Sequence, residues 1–389
     1  NEAELEQFKT YWKTGRFKES RRDSIVRISN TLLHNNASRE PHFTQMLRLM
    51  NRLNGTRFDS LHFHTWMKGY NHLLAKEKRK LNKIRDYFEF TQGFLDTNGL
   101  NLTRARDWYA RSNDYQFIYD TTIKVIYSQT PLKCSHRDDS ILIHQTSGTY
   151  FPFTKMWHGK GGRVDWSRAG YPADQIYAEL GNYSINLSNA EYKADSVMFI
   201  NHLYFDEPIR GRLHDKLYHI MSPSDAMFPS FTSYKKVFEI NDIYQNMDFI
   251  GGFEMKGAQF IGSGGDGKDA TLKVHRHGNL FMTAQAQVFI LMKEKAVSRK
   301  AAITIHLGQD SIYHTGLSFN YHVNNHEIEL IPNDNILSRS VYYNTYHQVS
   351  MKFDRLLWNT NEDKIYFTHS RNSSMGQATF TSMNYFTLN

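Results

Sequence analysis

Apolar residues recur every three and four positions through the first 96 residues. Ile25, Ile28, Leu32 and Leu33 make one stripe, and Phe43, Met46, Leu47 and Met50 a second. Leu61, Met67, Tyr70, Leu73 and Leu74 make a third, and Leu81, Ile84, Phe88 and Leu95 a fourth. That spacing covers one face of a helix. Asn35-Asn36 with Pro41, then Asn54-Gly55, then Asn98-Gly99 fall where helix ends are expected. The two helix pairs start at Phe17 and Phe58, a spacing of 41 residues, so both an α-hairpin repeat and a plain bundle fit. One more short helix is predicted over 100–112, capped by Thr103 and favoured by Arg104-Ala105-Arg106.

The period changes near Thr121. In Thr121-Thr122-Ile123-Lys124-Val125-Ile126-Tyr127, the residues Ile123, Val125 and Tyr127 alternate against Lys124. From there the chain reads as short strands divided by glycines and Asn/Asp pairs. Predicted strands are Ser140–His144, Tyr183–Leu187, Ser196–Ile200, Val237–Ile240, Phe249–Met255 and Thr271–His275. Val288–Met292, Ala302–Leu307, Leu317–Tyr321, Glu327–Ile331 and Lys364–Thr368 follow. No long helical stripe interrupts them, which argues against a doubly wound α/β sheet. About a dozen strands over roughly 260 residues exceed one sandwich of about 100 residues. A β-solenoid, or β-helix, takes such a run by stacking coils, each burying its neighbour's apolar face. Asp139-Ser140-Ile141, Asp195-Ser196-Val197 and Asp310-Ser311-Ile312 each open a strand, at intervals of 56 and 115 residues. Asp23-Ser24-Ile25, among the helices, shows how easily the tripeptide arises. The expected fold class is α+β, with a basic helical domain over 1–115 and a solenoid-like β-rich domain over 116–389.

Composition sharpens this in three places. Aromatic residues make up 14% of the chain, which excludes a disordered protein and suits pleated surfaces. One cysteine, Cys134, excludes an internal disulfide framework and a cysteine-rich zinc site. The net charge of +8 lies in the first third: residues 1–130 hold 22 Lys/Arg against 14 Asp/Glu, and 131–389 hold 25 of each. A basic helical region suits an acidic partner, anionic lipid or nucleic acid, or is a solvated surface. No stretch approaches the roughly 18 apolar residues of a membrane helix. Sequons at Asn36, Asn54, Asn101, Asn182, Asn186 and Asn372 matter only in a eukaryotic secretory context.

Candidate chemistry is sparse. Gly262 to Lys268 fits the spacing of a phosphate loop, but Asp269 replaces the magnesium-binding hydroxyl and Thr271-Leu272-Lys273-Val274-His275 continues as strand. A turn between strands is expected there. His62 with His64, His275 with His277, and His322 with His326 lack a third ligand, so no metal is expected. Glu327 and Glu329 alternate with Ile328 and Leu330, as on the wet face of a strand. Cys134 falls in a turn-like Lys-Cys-Ser-His segment beside His136, which does not make a catalytic pair. No cofactor and no catalytic residue is expected. Exposed rings at Tyr342, Tyr343, Tyr346 and Trp157 would stack on sugars, whereas inward rings would stack between coils. These four are the candidate ligand-binding residues.

Several phrases carry a family resemblance. They are Gly159 to Gly170 (GKGGRVDWSRAG), Tyr177 to Tyr183 (YAELGNY), Ala194 to Val197, Gly251 to Gly257 (GGFEMKG) and Asp310 to Leu317 (DSIYHTGL). Together they resemble the N-terminal region of very large exported proteins found across the Bacteroidetes, over roughly 140–389. The resemblance implies an envelope location (periplasm, outer membrane or cell surface) and a chain that continues further. It implies no activity and no site residue. Tyr192 to Phe199 (YKADSVMF) is similar to the coil repeats of lipopolysaccharide-transport β-bridges. The expected function is a non-enzymatic envelope scaffold or conduit, with envelope proteins, glycan or lipid as partners. The alternative is a β-helix that binds or cleaves polysaccharide, and nucleic-acid binding by residues 1–130 ranks last.

Overall fold

A computed structural model describes residues 2–55, 60–76, 80–219, 222–332, 340–368 and 378–383. Five α-helices come first: α1 (Glu2–Lys13), α2 (Glu19–His34), α3 (Thr44–Gly55), α4 (Ser60–Lys76) and α5 (Lys80–Thr97). Most of the predicted stripes face inward, with Ile25, Ile28, Leu32, Met46, Met50, Tyr70, Leu73, Ile84 and Phe88 all buried, but Leu33 and Leu61 are exposed and do not belong to the buried faces. Asn98 takes a left-handed φ of 57° after α5, the conformation that ends a helix. Phe58 lies outside the described residues. Helices α4 and α5 are joined by stacked rings. Trp66 lies 5.4 Å from Tyr87 and 6.1 Å from Tyr70, and its Nε1 donates to Thr91 Oγ1 at 2.8 Å.

Apart from short 3-10 turns at Ser167–Ala169 and Pro223–Asp225, the regular structure in the rest of the described chain is antiparallel β, so the expected order of helices first and sheet afterwards is observed. The change falls at Gly99, earlier than expected. In place of a helix over 100–112, strands Gly99–Leu102 and Asp107–Ala110 pair with each other. Thr103 closes the turn between them: its amide donates to Asp107 Oδ1 at 3.1 Å and its hydroxyl accepts from the Arg106 amide at 3.1 Å. A residue that looked like a helix cap is a turn residue.

Two compact units result. One comprises Asn1–Val164, Ala178–Val197 and His214–Ile220, and the other Asp165–Tyr177, Met198–Leu213 and Met221–Asn389. Within each, the chain runs back and forth in rungs that bend near the middle. The bend interrupts the in-out alternation with two exposed residues in a row. Tyr127-Ser128-Gln129-Thr130, Ala194-Asp195-Ser196-Val197, Ile240-Asn241-Asp242-Ile243 and Ser298-Arg299-Lys300-Ala301 all read buried, exposed, exposed, buried. An extra residue of this kind is a β-bulge, which turns the strand while keeping apolar side chains inside on both arms.

The two units contain the same rungs. The hairpin of Ile123–His136 and Asp139–Phe151 pairs Cys134 with Ile141, Leu132 with Ile143, Thr130 with Thr146, and Tyr127 with Gly148. The hairpin of Lys295–Leu307 and Asp310–His322 pairs Ile305 with Ile312, Ile303 with His314, Ala301 with Leu317, and Ser298 with Phe319. Every position is displaced by 171 residues, bulges included. The next rung keeps the displacement: Ser147 faces Lys160, and Ser318 faces Ile331. Two of the three Asp-Ser tripeptides, at Asp139 and Asp310, therefore open equivalent strands. The third, at Asp195, sits on a bend within Glu191–Asn201.

Equivalent inward rows hold different side chains. Across four rungs the first unit places Tyr127, Gly148, Gly159 and Tyr183, where the second places Ser298, Phe319, Leu330 and Leu356. The neighbouring row reads Val125, Tyr150, Trp157, Ile185 in one and Ala296, Tyr321, Ile328, Trp358 in the other. Large and small residues have changed places, which keeps an interior full. Elsewhere in the second unit Phe199 stacks on Phe231 at 4.2 Å and Phe253 packs on Phe260 at 4.8 Å.

His314 stands where the first hairpin has Ile143. It is 1% exposed, and the Gly316 amide donates to its Nδ1 at 3.0 Å. Burial holds its pKa below the ordinary 6.5. The unfolded imidazole thus takes up a proton that the folded one refuses, and its contribution is lost as pH falls below 6.5. Chemical denaturation at pH 7.5 and 5.0 is expected to show a smaller acid-side loss for His314→Ile than for the wild type. Equal losses would remove His314 as the cause.

Candidate functional site

The outward positions of the first unit's rungs form a polar trough. Strands Ile123–His136, Asp139–Phe151, Met156–Lys160, Asn182–Asn186 and Glu191–Asn201 contribute to it. Buried residues such as Tyr150, Trp157 and Ile185 alternate with the lining ones, so each strand gives one face to the core and the other to the trough. Register sets two rows across the rungs. Ile126, Thr149, His158 and Ser184 make one, and Ser147, Lys160 and Asn182 the other. Lys193 and Asp195 complete a depression of about 710 Å³. His158 Nδ1 lies 2.7 Å from Ser184 Oγ, and Phe151 meets the His158 ring edge-on at 5.4 Å. Lys160 and Lys193 make no ion pair among the described residues. The surface is therefore cationic and rich in hydroxyl and amide groups.

Beneath it the rungs are fixed by buried polar contacts. Thr146 Oγ1 lies 2.8 Å from Tyr183 OH and donates to the Gly161 carbonyl at 2.9 Å, and Trp157 Nε1 donates to Tyr183 OH at 3.3 Å. The trough floor is thus held by the same rings that fill the interior.

The residues singled out in the sequence are dispersed. Trp157 is fully buried in the first unit, and Tyr342, 2% exposed, stacks on Phe353 at 4.3 Å in the second. Neither ring offers a face to a ligand. Tyr343 is partly exposed and stacks on Tyr313 at 5.2 Å, and Tyr346 is exposed beside His347. Cys134 lies within strand Ile123–His136, not in a turn, and burial pushes its thiol up to about 12. Such a thiol is no nucleophile at neutral pH. The stretch Gly264–Asp269 is a turn between strands Gln259–Ser263 and Ala270–Arg276, closed by the Lys268 amide on the Gly265 carbonyl at 3.0 Å.

His62 and His64 lie on helix α4, and His275 Nε2 meets Asp248 Oδ2 at 2.8 Å. Among the described residues no group of three or more His, Cys, Asp or Glu side chains could hold a metal ion. Glu329 accepts from Arg355 at 3.1 Å while Ile328 and Leu330 are buried, as the alternation predicts. Asn101 is buried and donates to the Leu187 carbonyl at 2.9 Å, so it is closed to modification, and Asn372 lies outside the described residues. No described helix is long and apolar enough to cross a membrane.

No family model matches the chain, and no curated protein matches it. Among solved structures it is similar to LptH of Pseudomonas aeruginosa, the LptA-homologous periplasmic component of a lipopolysaccharide transport device. The identity is 11% over 32% of this chain and 83% of that one, with a TM-score of 0.23, a likeness that establishes neither fold nor function here.

Proposed function

We propose that this chain is a non-enzymatic scaffold module of the cell envelope and part of a larger exported protein. The observation that carries the scaffold is the duplicated set of bent rungs, matched in register over two long hairpins and the strands beside them. Stacked rungs that bury one another's apolar faces gain stability by addition, as in a solenoid, and make stiff spacers. The inward rows carry Tyr127, Tyr150 and Trp157 in one unit and Phe319, Tyr321 and Trp358 in the other. Rings at those positions favour a scaffold over a lipid conduit, which needs an open apolar groove. The envelope location rests on the resemblance to exported proteins of the Bacteroidetes, as does membership of a longer chain.

Fractionation of the native cells, probed with antibody to residues 99–332, tests the location. The chain is expected with the envelope, within a band larger than 389 residues would give. Recovery in the cytoplasmic fraction would overturn the reading.

A further inference from the structure

We propose that the outward trough of the first unit binds an acidic polysaccharide, with sugar carboxylates at Lys160 and Lys193 and sugar hydroxyls along Thr149, His158, Asn182 and Ser184. The duplicated rungs supply an internal comparison. By register, Thr149, His158 and Asn182 correspond to Asn320, Glu329 and Arg355 of the second unit. There outward side chains from the two rows satisfy one another, with Leu357 standing where Ser184 does. Glu329 accepts from Arg355 at 3.1 Å and from Asn320 at 3.3 Å, and Arg355 Nε donates to Thr368 at 3.1 Å. Such a ladder neutralises its own charge and offers little to a ligand.

In the first unit the carboxylate is gone. His158 replaces Glu329, and Lys160 stands where Ile331 does. The two lysines keep their charge unpaired among the described residues, and Asp195 is the acid among the lining side chains. The same frame therefore carries a neutralised face in one unit and a cationic one in the other.

The dimensions favour a chain molecule over a small anion. At about 4.8 Å between strands, the four-residue row is roughly 14 Å long and the three-residue row roughly 10 Å. A depression of about 710 Å³ falls in the usual range of roughly 300–1,000 Å³ for ligand sites. Hydroxyl and amide groups spread along both rows match a ligand with hydroxyls along its length. A lone phosphate would use a single cluster. The edge of Phe151 beside His158 adds apolar surface for a sugar ring.

Calorimetric titration of the full chain with tetragalacturonate tests this, with cellotetraose and inorganic phosphate as comparison ligands. Binding of tetragalacturonate is expected, with cellotetraose much weaker and phosphate a poor competitor. Lys160→Ala/Lys193→Ala should weaken it at least about tenfold. The exposed pair Lys293→Ala/Lys295→Ala should change it less than about twofold, since long-range charge is screened by salt. Circular dichroism checks that both variants fold. The proposal fails if tetragalacturonate does not bind at millimolar concentration. It fails equally if both double variants lose affinity alike, or if phosphate at equal concentration displaces the sugar. None of these outcomes depends on where the protein resides.

Discussion

Gly159→Ala is expected to destabilise the first unit by about 3 kcal/mol, although the equivalent position of the second unit holds Leu330. A Cβ at Gly159 would run into the Tyr183 ring and come within 2.6 Å of Trp157 Nε1. Neither group can retreat cheaply. Tyr183 OH is tied to Thr146 and Trp157, and both rings are buried. The obstacle is thus the neighbour and not the strand, because in the second unit Leu330 faces Leu356 where Gly159 faces Tyr183. Tyr183→Leu alone should cost about 2–3 kcal/mol through the lost ring and its hydrogen bonds. The pair together should be less harmful than the sum by about 1–3 kcal/mol, since the smaller side chain makes room for the new methyl. Urea denaturation of the two single variants and the double variant measures that coupling. Strict additivity would mean that the exchange of large and small residues between the units is not compensatory.

That exchange also explains what the sequence hid. The helical stripes were legible because a helix needs one apolar face, and Ile25, Ile28 and Leu32 are buried as their spacing requires. Straight strands such as Ala270–Arg276 and Glu327–Pro332 were legible nearly whole, and the long bent ones only in halves. Ala302–Leu307 and Leu317–Tyr321 are single arms of Lys295–Leu307 and Asp310–His322, because Arg299-Lys300 and Thr315-Gly316 break the alternation at the bend. The duplication was nearly invisible. Register constrains the volume of a whole row and not the residue at each position, so Trp157 beside Ile185 became Ile328 beside Trp358. Asp139-Ser140-Ile141 and Asp310-Ser311-Ile312 survived because each opens the returning strand of a hairpin after a tight turn, where few residues fit. The trough was not legible at all. Its residues come from five strands between 126 and 195, and only pairing brings them together. Conversely, Tyr342 and Trp157 drew notice as bulky rings, and both are buried as core.

The second large effect expected is at Gly257, in the turn between strands Met247–Lys256 and Gln259–Ser263. Gly257 has φ near 50°, which a residue with a Cβ adopts at a cost of about 1–2 kcal/mol. Here the cost should exceed that. An added Cβ would fall within the carbonyl group of Ala226 and come within 2.9 Å of the Met227 nitrogen. These are backbone atoms, so no side-chain rotation relieves the clash. The same segment is fastened to the turn by two hydrogen bonds, from the Gly257 amide to the Pro229 carbonyl at 2.9 Å and from the Ala258 amide to the Ala226 carbonyl at 3.3 Å. Moving it also disturbs Ser230–Ser233, the strand that pairs with Met247–Lys256. Gly257→Ala should therefore cost on the order of 3 kcal/mol or more. Gly278 and Gly308 supply the comparison, with φ of 77° and 72° and nothing within 4 Å of an added Cβ. Gly278→Ala and Gly308→Ala should cost about 1–2 kcal/mol each, the conformational term alone. If denaturation midpoints fall equally for all three, the contact with residues 226–229 contributes nothing.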